Sequence, residues 1–175
     1  KYEGEHISNW DVSQVTNMDS LFKDKTSFND NISGWDVSKV TSMDSMFEAS
    51  SFNQPLDTWD VSKVTSMLNM FKKCSAFNQN ISSWDVSSVT NMQCMFYQAT
   101  IFNQPIGNWD VSNVTSMNTM FRMSDFNQQL NSWNVSKVSN IHIIVCKILL
   151  QFWILLNDYD HCNRRIFYCA NYVYP

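Results

Sequence analysis

Residues 35–43 have the sequence WDVSKVTSM, and residues 59–67 repeat the same nine letters. Aligning the chain on the tryptophan extends this pair into a series with spacings of 25, 24, 25, 25 and 24 residues. A fixed period of this length is typical of repeat architectures, but it is too short for a propeller blade of roughly 40–45 residues. We therefore predict one coil of chain per repeat, with stacked tryptophans at Trp10, Trp35, Trp59, Trp84, Trp109 and Trp133.

Each repeat contains two apolar patterns. In the second repeat, Val40, Met43, Met46 and Phe47 fall on one face of a short helix, and the threonine before each first Met, as at Thr41, resembles a helix N-cap. The second pattern, Phe-x-x-x-(Ile/Leu)-x-x-Trp, is assigned to a strand. The sequence thus predicts an α/β fold, a leucine-rich-repeat-like solenoid with one short strand and one short helix in each coil of 24–25 residues.

Stacked coils would bring equivalent residues about 4.8 Å apart. An Asn follows the Phe that lies seven residues before each aligned Trp after the first, and we expect these side chains to form a hydrogen-bonded ladder at a corner. The ladder would contain Asn29, Asn53, Asn78, Asn103 and Asn127.

A second polar series consists of the Asp that follows each of the first five tryptophans. Carboxylates stacked at this spacing repel one another, so either each is held by local amide hydrogen bonds or cations lie between them. We favour amide capping as Asx turns over calcium, because Gly- and Asp-rich calcium loops are absent from the sequence. The series is Asp11, Asp36, Asp60, Asp85 and Asp110.

The string WDVSxVTxMxxMF, followed by FNQxIxxW, resembles the BspA-like leucine-rich-repeat surface proteins. The resemblance covers roughly residues 7–140 and recurs five times. It implies a right-handed α/β solenoid on secreted or cell-surface proteins, hence an extracellular or cell-surface location, with adhesion or protein binding as the activity. It implies no catalytic residues.

Composition and motifs argue against several kinds of chemistry. The chain carries 12 Lys and Arg against 16 Asp and Glu, without the basic stripe that nucleic acid binding requires. Its five Cys do not form a disulfide framework. A zinc site built from Cys162 and Cys169 with His142 and His161 would lack a C-x-x-C pair. All three His lie outside the regular repeats, so we predict no enzyme, no cofactor and no metal.

The repeats extend from Trp10 to Val145, giving a repeat domain at residues 1–145 of about five full units plus partial end units. The sequence begins inside a repeat and lacks an initiator Met, which favours a piece of a longer repeat protein. Residues 146–175 form a non-repeat tail with three interpretations: a cap, a frameshifted segment, or a membrane segment. The third is disfavoured because residues 141–156 are too few and include polar side chains.

Binding specificity should reside where the units differ, in residues 23–27, 48–51, 72–76, 97–101 and 122–125. Tyr97, Ile101 and Arg122 are the strongest contact candidates, since Tyr and Arg are enriched at binding hot spots, and Lys72 and Lys73 lie in the same set of loops. The partner would be a protein or a glycan. Two alternatives stay open: these loops are merely solvated, and the array is a structural spacer without its own ligand.

Overall fold

The computed structural model describes residues 5–139. In this range the chain makes five successive coils that begin at the first five tryptophans, and each coil stacks on the previous one in parallel register. Isolated parallel bridges join the residue seven positions after each Trp to its counterpart in the next coil. These bridges run from Asn17 through Ser42, Ser66 and Asn91 to Ser116. Each repeat therefore corresponds to one coil of the stack.

Two columns of phenylalanine fill the space inside the coils. Along the first column, from Phe22 to Phe121, successive ring centroids are 5.5–5.7 Å apart. Within each coil the first Phe packs against the second, as in Phe71 and Phe77, whose ring centroids are 3.9 Å apart. Methionine and valine from every inner coil are also fully buried. One coil cannot enclose such a core alone, so the coils stabilise one another by burying shared apolar surface.

One side of each coil, here called the turn side, comprises residues 16–24, 41–49, 65–73, 90–98 and 115–123. In the first four coils, every second amide from the first Met onward donates to a carbonyl of the next coil; in the second coil, Met43, Ser45, Phe47 and Ala49 donate over 2.7–3.1 Å. Of the three amides between them, the second and third close tight turns onto the carbonyl three residues earlier, and the first donates to a side chain. Two residues of each turn side adopt a left-handed backbone, as Ser45 (φ 56°) and Ala49 (φ 55°) do.

The predicted α/β class is therefore wrong. Between residues 5 and 139 the structure contains one helix, the 3₁₀ helix Ile7–Asn9, and isolated bridges in place of strands. The segment predicted as a helix is the turn side. A two-turn helix is marginal by itself, whereas the turns give every second amide a partner in the neighbouring coil. Turns that bond three residues back also place Met43, Met46 and Phe47 inside, so they share the helical apolar pattern.

The threonines do not cap helices. The hydroxyl of Thr65 donates to the carbonyl of Thr41 over 3.1 Å, and the Thr65 amide donates to the same oxygen over 2.9 Å. Thr41, Thr90 and Thr115 make the same pair of bonds to the coil before them. These threonines therefore join coils instead of starting helices.

The opposite side, here called the ladder side, comprises residues 28–35, 52–59, 77–84, 102–109 and 126–133. The predicted strand lies here, but side chains rather than backbone ladders join its coils. The Asn53 side-chain oxygen accepts the amide of Asn78 over 3.0 Å and the Gln79 side-chain nitrogen over 2.9 Å. Asn29, Asn78 and Asn103 each accept the amide of the next Asn in the same way.

The tryptophans add a second set of bonds to the ladder side. The indole nitrogen of Trp59 donates to the carbonyl of Ile32 over 3.2 Å, and that of Trp84 donates to Leu56 over 2.8 Å. Trp35, Trp109 and Trp133 repeat this contact. Each of these indoles is at most 4% exposed, so the ring both fills the core and donates to a carbonyl about one repeat earlier in the chain.

No helix in residues 5–139 has the length and apolarity needed to cross a membrane. The cap, frameshift and membrane hypotheses for the tail concern residues outside the described range.

Candidate functional site

The residues that differ most between coils occupy one edge of the turn side. We call this edge the variable corner; it consists of two adjacent columns. The first contains Lys23, Glu48, Lys72, Tyr97 and Arg122, and the second contains Asp24, Ala49, Lys73, Gln98 and Met123. The second column is left-handed in every coil, with φ between 55° and 60°. Its first four amides donate to the first-column carbonyl of the next coil, over 2.7–2.9 Å. The backbone of the corner thus has the same conformation in each coil, whereas its side chains differ from coil to coil.

The first three coils of the variable corner are joined by ion pairs. Glu48 lies between Lys23 and Lys72, and each ammonium nitrogen is 3.0 Å from a Glu48 carboxylate oxygen. Burial raises the pKa of Glu48, but hydrogen bonds from Lys23, Lys72 and Ser45 outweigh it, so the pKa lies below its usual value. The bond to Glu48 raises the pKa of Lys23. In this part of the corner, the charged side chains are therefore paired with one another.

The last two coils of the variable corner are chemically different. Met123 is 59% exposed, while Arg122 is exposed and Tyr97 half-buried. Ile101, which follows the corner in the fourth coil, is 48% exposed. The Tyr97 hydroxyl lies 3.8 Å from the Met123 sulfur, which places the aromatic ring beside the exposed thioether. Apolar surface and a cation therefore meet at this end.

The structure thus separates the predicted contact residues into two groups. Tyr97, Ile101 and Arg122 share the last two coils, whereas Lys72 is paired with Glu48. Lys73 is exposed in the adjacent left-handed column. Glu48 was not predicted to be a charge partner from the sequence. The sequence pattern that could have indicated it is the order Lys, Glu, Lys at the same position of three successive repeats.

The Asp series lies on the outer surface before the turn side. In each coil the carboxylate accepts the amide of the Ser two residues later, over 3.0–3.1 Å, forming an Asx turn. These bonds from Ser hold the pKa of Asp11, Asp36, Asp60 and Asp110 below its usual value. In the sixth copy, Asn134 accepts the amide of Ser136 in the same way. The Asp or Asn that follows each of the six tryptophans therefore stabilises a local turn.

Other candidate chemistry is sparse in the described part of the chain. No cluster of three or more His, Cys, Asp or Glu within residues 5–139 could hold a metal ion. Cys74 is buried and Cys94 half-buried, both as free thiols, and burial raises the pKa of Cys74. The Cys and His considered for zinc lie outside the described range, at positions 142, 161, 162 and 169.

An open hollow of about 460 Å³ lies on the ladder side, between the coils of Ser82, Gly107 and Gln129. Gly107 is required there, because a β-carbon would approach the Gln129 carbonyl oxygen to 2.4 Å. Pro105 and the polar side chains of Ser, Asn and Gln line the hollow, and none of its lining residues is charged. No sequence pattern had indicated this hollow.

Comparison with known proteins adds one finding. A family described as "Mycoplasma protein of unknown function, DUF285" matches the chain twice, at residues 1–68 and 48–147. No curated protein and no solved structure matches the chain. The two matches together span 147 of the 175 residues, and the chain therefore belongs to this DUF285 family.

Proposed function

We propose that the stack is a non-enzymatic module for protein binding or adhesion, displayed on a cell surface or secreted. The observation that carries the proposal is the variable corner, where an invariant backbone presents side chains that change from coil to coil. Its last two coils combine exposed Met123 with Arg122 and the edge of Tyr97, and exposed Ile101 follows the corner in the fourth coil. The resemblance of the repeat to BspA-like surface proteins supports the same function and location.

The chemistry of this end favours a protein partner. Exposed apolar side chains beside an Arg suit a segment that carries an apolar residue next to a carboxylate, because the guanidinium forms bidentate bonds to carboxylates. Tyr and Arg supply much of the binding energy at protein interfaces. Lys72 contributes less, since Glu48 already neutralises it.

The test is a peptide array in which acidic and apolar positions are varied independently, probed with the full chain. We expect selection for peptides containing both features and at least a tenfold loss of binding in the Tyr97→Ala/Arg122→Ala variant, about 1.4 kcal/mol or more. A matched control is Lys63→Ala/Ser88→Ala, which alters two exposed residues in neighbouring coils away from the variable corner. This control should bind like the parent chain.

The alternative function is a structural spacer without its own ligand, favoured by the continuous core. A spacer would select no peptide on the array, and the Tyr97→Ala/Arg122→Ala variant would behave like the parent chain. A parallel glycan array tests the remaining partner class. Selection there, with no selection among peptides, would overturn the choice of a protein partner.

A further inference from the structure

The hollow on the ladder side lies where one coil lacks a side chain that its neighbours have. Two residues before each aligned Trp after the first, the chain carries Ser33, Asp57, Ser82, Gly107 and Asn131. Gly107 leaves a gap in this row, and the hollow of about 460 Å³ spans it, from Ser82 in the coil before to Gln129 in the coil after. A volume of this size is typical of a site for a small ligand.

Several polar groups around the hollow are free to bind such a ligand. The Ser82 hydroxyl and the Gln129 side-chain amide form no hydrogen bond with any residue between 5 and 139. The Asn108 side-chain nitrogen donates to the Ser82 carbonyl over 2.8 Å, which leaves its side-chain oxygen as an acceptor. The Gln128 side-chain nitrogen donates to Asn103 over 3.2 Å, which leaves its oxygen in the same state. The hollow thus offers both donors and acceptors.

The groups of the hollow are held in place by the coils before and after it. Asn108 and Gln128 are each fixed by the bonds just described, and the Ser132 hydroxyl donates to the Gly107 carbonyl. The backbone of Gln129 also packs directly on Gly107, where a β-carbon would meet its carbonyl oxygen at 2.4 Å. A ligand therefore meets a largely preformed site, which lowers the entropy lost on binding.

The lining of the hollow restricts the chemistry of the ligand. None of the described residues that line it is charged, so an ion would lose its hydration there without gaining a partner of opposite charge. A hydroxyl group both donates and accepts hydrogen bonds, and it therefore matches carboxamides and a serine hydroxyl. The exposed ring of Pro105 adds an apolar surface for C–H groups. Sugar rings combine these two features.

We propose that the hollow around Gly107 binds one neutral pyranose ring of a glycan. The side-chain oxygens of Asn108 and Gln128 accept sugar hydroxyls, and the Gln129 side chain donates to one. Pro105 contacts the C–H face of the ring. This site lies on the ladder side and is separate from the variable corner of the turn side, so one stack can hold a glycan and a protein partner together.

The test uses the full chain and four neutral probes, the methyl pyranosides of glucose, galactose, mannose and N-acetylglucosamine. Each is supplied at about 10 mM, which is enough to detect a Kd in the millimolar range. Saturation-transfer NMR detects binding, and backbone amide chemical shifts locate it. We expect transfer to at least one pyranoside, with the largest shift changes at residues 105–108 and 128–129 and none at the variable corner.

A double variant tests the polar groups of the hollow. Ser82→Ala/Gln129→Ala removes two side chains that form no bond within residues 5–139, so it should melt like the parent chain. It should bind the selected pyranoside roughly tenfold more weakly or worse. The matched control, Ser33→Ala/Gln54→Ala, removes the same residue types from the ladder side of the first two coils and should bind like the parent chain.

The absence of saturation transfer to all four pyranosides would overturn the proposal, as would equal binding by the double variant. Shift changes centred on the variable corner would also overturn it. Equal transfer to sorbitol, an acyclic polyol, would show that the hollow does not select a ring. Failure of the peptide array contradicts only the proposed protein partner, because the pyranoside site is measured at different residues.

Discussion

The two sides of each coil are joined to their neighbours by different atoms. On the turn side, backbone amides meet backbone carbonyls, and the contact is the same whichever side chains are present. On the ladder side, the bonds come from the side chains of Asn, Gln and Trp. The exposed positions of the turn side can therefore vary in sequence, whereas the Asn and Trp of the ladder side recur in every copy. The variable corner and the repeated Phe-Asn and Trp motifs are two results of this division.

The largest expected effect concerns the tryptophan of the ladder side. Replacing Trp59 by Ala should lower the free energy of unfolding by about 3–5 kcal/mol, because a buried aromatic ring is lost. The variant also leaves the Ile32 carbonyl without its indole donor. Urea denaturation measures the loss. The matched control is Trp10→Ala at the half-exposed tryptophan of the first coil, and equal losses at both positions would contradict the stacked core.

The next effect compares one polar residue from each side. Asn78→Ala removes the side-chain oxygen that accepts the Asn103 amide and one of the two bonds from the Gln104 side chain, which keeps its bond to the residue 78 carbonyl. The change should cost about 2 kcal/mol, because the Asn103 amide loses its partner. Thr90→Ala should cost about 1 kcal/mol or less, since the backbone amide of residue 90 still reaches the Thr65 carbonyl. Denaturant unfolding of both variants tests the comparison.

Asn78→Asp serves as the control for this pair, because it keeps an oxygen acceptor at the same position and should lose less stability than Asn78→Ala. If Thr90→Ala lowers the free energy of unfolding more than Asn78→Ala does, side-chain hydrogen bonds are not the main link between coils on the ladder side.

A smaller effect tests the left-handed backbone of the turn side. Ala49 has a φ of 55°, a conformation that strains residues with a β-carbon. Ala49→Gly should therefore raise the free energy of unfolding by about 1 kcal/mol, although glycine ordinarily destabilises. The matched control, Ala76→Gly, lies outside the left-handed positions and should lower it by about 0.5–1 kcal/mol. Losses of similar size in both variants, measured by thermal unfolding, would contradict the turn geometry.

The smallest expected effect is a change in acid stability at the variable corner. The pKa of Glu48 in the folded chain lies below its usual value near 4.5. Its ion pairs therefore stabilise the fold above about pH 4.5 and lose that contribution as the pH falls through the folded-state pKa. Glu48→Gln should reduce stability at pH 7 by about 1 kcal/mol or less, because both lysines remain partly in water.

Unfolding curves for the parent chain and Glu48→Gln from pH 7 to pH 3 test this expectation. The difference between them should shrink with acidification. A difference that stays constant with pH would show that the carboxylate charge contributes nothing.

The period, the stacked tryptophans and the polar series could be predicted from the sequence, because each depends only on which residue types recur at a fixed spacing. The conformation of the turn side could not. Met43, Met46 and Phe47 satisfy a helical pattern, yet the deciding groups are backbone amides that bond to another coil, and a pattern of side chains does not record them. Ser45 and Ala49 likewise give no sign of a left-handed backbone, which glycine normally marks.

At the candidate site, sequence reasoning located the loops but not the division between them. Lys72 and Tyr97 have equivalent places in their coils, and only the register shows that Lys72 lies against Glu48.

The parallel register also has a genetic consequence. Because residues 35–43 and 59–67 are identical, recombination between their coding segments would remove 24 residues and join Gly34 to Trp59. Each remaining interface would still bring together the same repeat positions, and the new neighbours of every Asn, Trp and Thr would be chemically equivalent to the old ones. The gain or loss of a whole coil would therefore change the set of side chains at the variable corner and keep the same types of contact in the core.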